Sequence, residues 1–171
     1  TFPLWPAIYH GFFQAASIVT DNGLVTAGYP EWPLFVSLLL LLGSFFGGCV
    51  GSTCGGIKAM RFLLLYKQSV REVKLLIRPT AQISVKLGNR PMPDRVMQAV
   101  WGFYFLYIFS YCFFSLALTA TGVDLVTAFG SVAGCLNNMG VGLGKTASNF
   151  SSLSDTATWL LSLSMLVGRL E

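Results

Sequence analysis

Gly47-Gly48-Cys49-Val50-Gly51-Ser52-Thr53-Cys54-Gly55-Gly56-Ile57-Lys58 is the stretch on which the fold turns. Five of the ten residues from 47 to 56 are glycine. An uncharged apolar run, residues 34–46, leads directly into it, and Lys58, Arg61 and a second apolar patch, residues 62–66, follow. Glycine inside a helix costs about 1 kcal/mol relative to alanine, so a cluster this dense argues for non-helical backbone. The apolar flanks place that backbone in a membrane. In lipid, irregular backbone survives only where it is buried in protein or lines a water-filled cavity. The stretch reads as a break partway along a membrane helix.

Composition agrees. Of 171 residues, 54% are hydrophobic and only 11% charged, with a mean hydropathy of +0.65; soluble domains carry about 25% charge. Nine of the eleven basic residues fall between Lys58 and Arg95, and only Lys145 and Arg169 lie outside. A basic connection between apolar segments is the positive-inside signal, so residues 58–97 belong on the cytoplasmic side. The same clustering argues against a nucleic-acid partner. Cys49, Cys54, Cys112 and Cys135 form no CxxC pair, and their apolar or glycine-rich settings predict small buried hydrophobes rather than a metal or redox site.

Taken in order, residues 1–6 read as an interfacial loop. Residues 7–19 form a short helix, too short for the roughly twenty residues a crossing needs. Thr20-Asp21-Asn22-Gly23 ends it with turn chemistry. Residues 34–46 are the first leg of the broken helix; helix resumes at 62–66 and continues into a basic helical stretch, 67–78, that Pro79 stops. Alternation at 83–87 before Gly88-Asn89 suggests a short strand. Residues 96–120 are the clearest spanning helix. Residues 125–136 form a second short helix, ending at Asn137-Asn138-Met139-Gly140, and residues 158–167 begin a last membrane helix. The chain reads as a fragment of a longer membrane protein.

Two pieces match at an offset of 117: Phe12 with Phe129, Ala16 with Ala133, Gly23 with Gly140. Each is a short helix, a polar four-residue stretch ending in glycine, and a return outward, which is the layout of a pore loop. A short helix aims the negative end of its dipole along its C-terminal direction, favouring a cation there. Extended residues after it can turn carbonyls inward to replace an ion's hydration shell.

The run GGCVGSTCGGIKAMRFLLLYKQ, the pair TDNG and NNMGVGLG, and the terminal MLVGRLE resemble the Trk branch of the Trk/Ktr/HKT superfamily of potassium uptake proteins, most similar to its bacterial TrkG/TrkH type. The similarity covers essentially the whole chain. It implies an all-α membrane protein with helix–pore loop–helix repeats around a pseudo-fourfold cation pore, in the bacterial inner membrane. Two of four repeats would be present, the third lacking its first helix: residues 1–66 as pore loop and broken inner helix of repeat three, 67–95 as the cytoplasmic basic connection, 96–171 as repeat four. By resemblance, potassium is the transported ion, and Thr20, Asp21, Asn22, Gly23, Asn137, Asn138, Met139 and Gly140 supply filter carbonyls. The glycine stretch resembles the family's intramembrane gating loop, which assigns Gly47, Gly48, Gly51, Ser52, Thr53, Gly55, Gly56 and Lys58 to a gate, with Arg169 of the last inner helix facing it. The implied partners are a TrkA-like cytoplasmic ring of nucleotide-binding domains and a second copy in a homodimer, with no organic cofactor.

Asp21-Asn22 departs from the family's Thr-Thr-Gly type of third filter. The favoured reading has the Asp21 side chain turned away to bond the end of its helix; the other has it raising cation concentration at the filter. His10 reads as a packing residue, Lys145 as solvated, and the basic run 67–95 as either the inside-positive signal alone or also a docking surface. A phosphate-binding loop fails on spacing, because Ile57 separates Gly56 from Lys58 and Ala59 stands where Ser or Thr is needed. With no catalytic His, carboxylate pair or metal cluster, an enzyme is not expected. A secondary cation transporter with discontinuous helices and alternating access is the alternative function.

Overall fold

The computed structural model describes residues 4–26, 32–49, 51–52, 55–78, 84–88, 90–147 and 149–169. Six α-helices carry the fold: α1 (Leu4–Val19), α2 (Leu34–Ser44), α3 (Ala59–Ile77), α4 (Asp94–Ala120), α5 (Leu125–Leu136) and α6 (Asp155–Arg169). A two-residue antiparallel ladder, β1 (Lys86–Leu87) with β2 (Arg90–Pro91), and a 3₁₀ turn, Gly144–Thr146, complete the described elements. α5 lies at the centre, packed on α6, α4 and α2; α1 packs on α2, and α3 on α4.

α4 alone among the described helices is long and apolar enough to cross a membrane. Its outward side is unpolar to an extent that water would not tolerate. Phe105, Phe109 and Phe113, spaced four apart, stack along it at 6.3 and 6.4 Å and are 71, 58 and 55% exposed. Such a stripe calls for an apolar neighbour, lipid or another segment of the protein, rather than water. α2 and α3 are the two legs of the broken helix. α2 has eleven residues, about 16 Å of helix, roughly half a hydrocarbon core. α3 is continuous across residues 66–67, where the apolar patch gives way to the basic stretch.

The inner faces close three main clusters. Ile18, Leu40, Leu41, Ala133, Met139, Val141 and Leu143 join α1, α2 and the outlet of α5. Phe114, Leu118, Ala128, Val132, Cys135, Ala157 and Leu161 join α4, α5 and α6. Leu64, Leu65, Val85, Met97 and Val100 hold α3 and the β-turn against the start of α4. There the Lys67 ammonium donates to the Lys86 carbonyl at 2.8 Å, and Arg71 pairs with Asp94 at 3.3 Å. Asp94 is 79% exposed, so that ion pair contributes at most about 1 kcal/mol.

Three expectations are corrected. α1 starts at Leu4, not residue 7: Pro6 sits in the first turn, where a missing amide hydrogen costs nothing. Among the described residues Cys49 and Cys112 are exposed and Cys135 is buried, while Cys54 lies outside them; an apolar or glycine-rich setting in sequence does not by itself bury a side chain within this segment. The strand expected at 83–87 shortens to Lys86–Leu87, with Ile83 and Asn89 outside the described residues. His10 packs edge-on to Tyr9 and shares a 3.2 Å hydrogen bond with the Thr26 hydroxyl, while Lys145 is exposed.

Candidate functional site

Both short helices end in the same backbone turn. At the end of α1, the amides of Thr20, Asp21 and Asn22 donate to the carbonyls of Ala16, Ile18 and Ser17 at 3.1, 3.1 and 2.9 Å. At the end of α5, Asn137, Asn138 and Met139 donate to Ala133, Cys135 and Gly134 at 3.0, 3.0 and 2.9 Å. Every donor and acceptor in one set lies 117 positions from its counterpart in the other, Thr20 against Asn137 being the first. The long and short bond together form a Schellman turn, which needs a left-handed residue after the cap. Asp21 (φ 52°) and Asn138 (φ 56°) take that conformation, which Asp and Asn tolerate better than other side chains. Gly23 and Gly140 follow at φ 70° and 81°.

The two turns touch. A Cβ on Gly23 would collide with the Met139 carbonyl. Thr20, whose hydroxyl bonds back to the Ala16 carbonyl at 2.7 Å, and Asn22 are exposed; Asp21 and Gly23 are half-buried. On the other side Asn137 and Met139 are buried, Asn138 is half-buried and Gly140 exposed.

The glycine stretch packs directly on both. A Cβ on Gly47 would lie 2.6 Å from Asp21 Oδ2 and 2.9 Å from the Gly55 carbonyl. Gly55 abuts the Asn137 backbone so closely that no side chain fits, and Gly56 faces the Ser44 carbonyl and Asn137 Oδ1. Ile57 donates to the Phe45 carbonyl at 3.1 Å and Ala59 to Gly48 at 3.2 Å, which stitches the two legs together beneath the turns. Gly48 is half-buried and Gly51 exposed, both at positive φ. Ser52 is half-buried with its hydroxyl unpaired, Lys58 caps α3, and Thr53 lies outside the described residues. Arg169 is exposed on the last turn of α6. Its neighbour Gly168 sits against the Leu136 carbonyl and lines, with Gly56, Tyr107 and Leu136, a cavity of about 40 Å³.

Asn137 is the hub. Its side chain is fully buried; Nδ2 donates to Ser44 Oγ at 2.8 Å, and Oδ1 accepts from the Tyr107 hydroxyl. The Ser44 hydroxyl in turn donates a hydrogen bond to the Leu41 carbonyl at 2.8 Å. One amide thus ties α2, α4, α5 and the glycine stretch. Sequence reasoning named Asn137 for its carbonyl and missed Tyr107 and Ser44, which carry no local signal. It also missed Gly130 and Gly134 on α5. Side chains there would strike Leu143 and the Val141 carbonyl, so the outlet lies flat on the helix that precedes it. Their i, i+4 spacing was a legible sign of close backbone approach.

Asp21 does not do what was favoured for it. Neither carboxylate oxygen meets a hydrogen-bond donor, although both are buried. The left-handed turn directs the side chain away from its own helix end and onto the glycine stretch.

Comparison with known proteins matches this arrangement to one family. The sequence profile of TrkH, described as cation transport protein, matches residues 3–171. The chain is 51% identical over 170 residues to the Trk system potassium uptake protein TrkG of Escherichia coli (strain K12), covering 99% of this chain and 35% of that protein. It is 50% identical over 164 residues to the Trk system potassium uptake protein TrkH of the same strain, covering 96% and 34%. The crystal structure of the potassium transporter TrkH from Vibrio parahaemolyticus superposes with a TM-score of 0.91 at 46% identity, over 99% of this chain and 36% of that one. The chain therefore spans about a third of the length of these relatives. It belongs to the TrkH family of cation transport proteins, as an all-helical membrane segment.

Proposed function

We propose that this chain forms one side of a potassium uptake pore in a bacterial inner membrane, with Thr20–Gly23 and Asn137–Gly140 as two of its filter segments. The observation that carries this reading is the pair of identically bonded helix ends, touching at Gly23 and Met139, with a glycine-rich break packed beneath both. Two helix C-termini direct negative dipole ends at one place, and extended backbone after them offers carbonyls to a dehydrated cation. The names of the relatives, potassium uptake proteins and a potassium transporter, support potassium as the cargo.

In this reading Gly47, Gly48, Gly51, Ser52, Thr53, Gly55, Gly56 and Lys58 are the gate below the filter, with Arg169 bordering it. Loop backbone held to Asn137 and Asp21 at their own turns can feel whether the filter is occupied. The homodimer and the TrkA-like nucleotide-binding ring follow from resemblance, and the basic α3 end with Lys86 is the face such a ring would meet. The test is rubidium uptake by the full-length protein in liposomes at clamped potential. Flux that follows the potential without a second ion is expected. Slow, saturating flux that requires a coupling ion would instead support alternating access by the discontinuous helix α2–α3.

A further inference from the structure

Where α3 leaves the apolar patch 62–66, its composition turns basic within one turn. Lys67, Arg71 and Lys74 recur at spacings of four and three, so they share one face of the helix. The β-turn brings Lys86 to that face, and these four residues, with Tyr66 and Val70, line an open cavity of about 340 Å³. Small-molecule sites run from roughly 300 to 1,000 Å³. The Lys67 ammonium gives one bond to the Lys86 carbonyl and has two more to offer. Asp94 balances Arg71, but among the described residues no carboxylate pairs with Lys67, Lys74 or Lys86, and none lines the cavity. Three uncompensated cations around one space repel one another, and an anion between them relieves that repulsion.

The place of the cavity selects the anion. Tyr66 is exposed at the last position of the apolar patch, and tyrosine gathers at the boundary between membrane and water. The cavity opens there, at the level of the phosphates of the cytoplasmic leaflet. Val73, Leu76 and Ile77 are exposed beside the basic face, and an apolar stripe next to a cationic one is the pattern of a helix that meets a membrane surface. An acidic segment of a soluble partner matches the charges but gives no reason for the apolar stripe or for the cavity's place at the end of the patch. We propose that this cavity seats the phosphate of an anionic phospholipid from the cytoplasmic leaflet, held by Lys67, Lys74 and Lys86 as point charges, with Tyr66 and Val70 against the glycerol end of its chains. A lipid gripped by both α3 and the β-turn ties the cytoplasmic connection to the membrane. The inference stands apart from the potassium reading and rests on the cytoplasmic placement of residues 58–97.

The test uses the full-length protein, delipidated in detergent and titrated with phosphatidylglycerol, with phosphatidylcholine of the same chains and with glycerol phosphate, bound molecules being counted by native mass spectrometry. Wild type should bind phosphatidylglycerol well ahead of both others. Lys74→Gln/Lys86→Gln spares the Lys67 bond and the Arg71–Asp94 pair, and should weaken that binding about thirtyfold, the loss of two contributions of about 1 kcal/mol each. Lys74→Arg/Lys86→Arg, which keeps both charges, should restore it. Equal binding of phosphatidylcholine overturns the proposal, because charge then selects nothing. Glycerol phosphate bound as tightly as the lipid overturns it in favour of a soluble phosphate. A glutamine variant that binds phosphatidylglycerol like wild type overturns it too, and leaves the basic face to a protein partner. Should that variant fail to fold, the comparison of the three ligands on wild type still decides.

Discussion

The Asn137 carboxamide accepts from Tyr107 and donates to Ser44 inside a packed interior, so each of its polar atoms is satisfied by a residue from another helix. A buried acceptor stripped of its donor costs about 1–3 kcal/mol, more than the net value of the bond. Tyr107→Phe removes the hydroxyl and keeps the ring that packs on Phe45 at 6.2 Å. The variant should lose stability by about 1–3 kcal/mol, read as a lower melting temperature of the full-length protein in detergent. An unchanged melting temperature would mean that the clasp contributes nothing. Asp21 teaches the opposite lesson at the same scale. Its type was visible in the sequence and read as bonding the end of its own helix, but the left-handed backbone decides where the carboxylate goes.

At the scale of elements, α5 shows how far a helix boundary can be anticipated. Residues 125–136 were expected and Leu125–Leu136 is observed, because Asp124 precedes the apolar run and the asparagine pair ends it. The close seat of the outlet on that helix depends on Gly134. Gly134→Ala would drive a Cβ into the Val141 carbonyl, and overpacking of this kind costs about 1–3 kcal/mol. Since backbone, not a pliable side chain, is in the way, residues 141–143 should shift and rubidium flux should fall at least about tenfold, the effect of 1.4 kcal/mol. Immunoblotting of membranes checks that the variant is still inserted; normal flux from inserted protein would count against a role for the outlet in conduction. The glycine stretch was equally legible as a break, whereas its seat on Asn137 and Asp21 was not.

For the whole molecule, the charge distribution and α4 make a directional claim. α4 has 27 residues, about 40 Å of helix, enough to cross the hydrocarbon core and both interfaces. The β-turn with Lys86 packs at its beginning, and α5 with the outlet bearing Lys145 packs toward its end. Gly88→Cys should react with a membrane-impermeant thiol reagent only when the cytoplasmic face is open, and Lys145→Cys only from outside. The exposed Cys49 and Cys112 must first be replaced. Labelling of both from one side would refute the topology.

What the sequence determined by itself is local or compositional. Apolar runs without charge, basic residues gathered at 58–95 and turn residues at 20–23 and 137–140 each act through near neighbours or through the solvent. They are enough for a helical membrane segment with a broken helix and two non-crossing ones. Only the tertiary structure decided that Ser44, Gly55, Tyr107 and Asn137 share one interior, and that Asp21 faces Gly47 rather than its own helix. Those contacts join positions tens of residues apart. They depend on how closely two backbones approach, a property of packed surfaces that no run of neighbouring residues encodes.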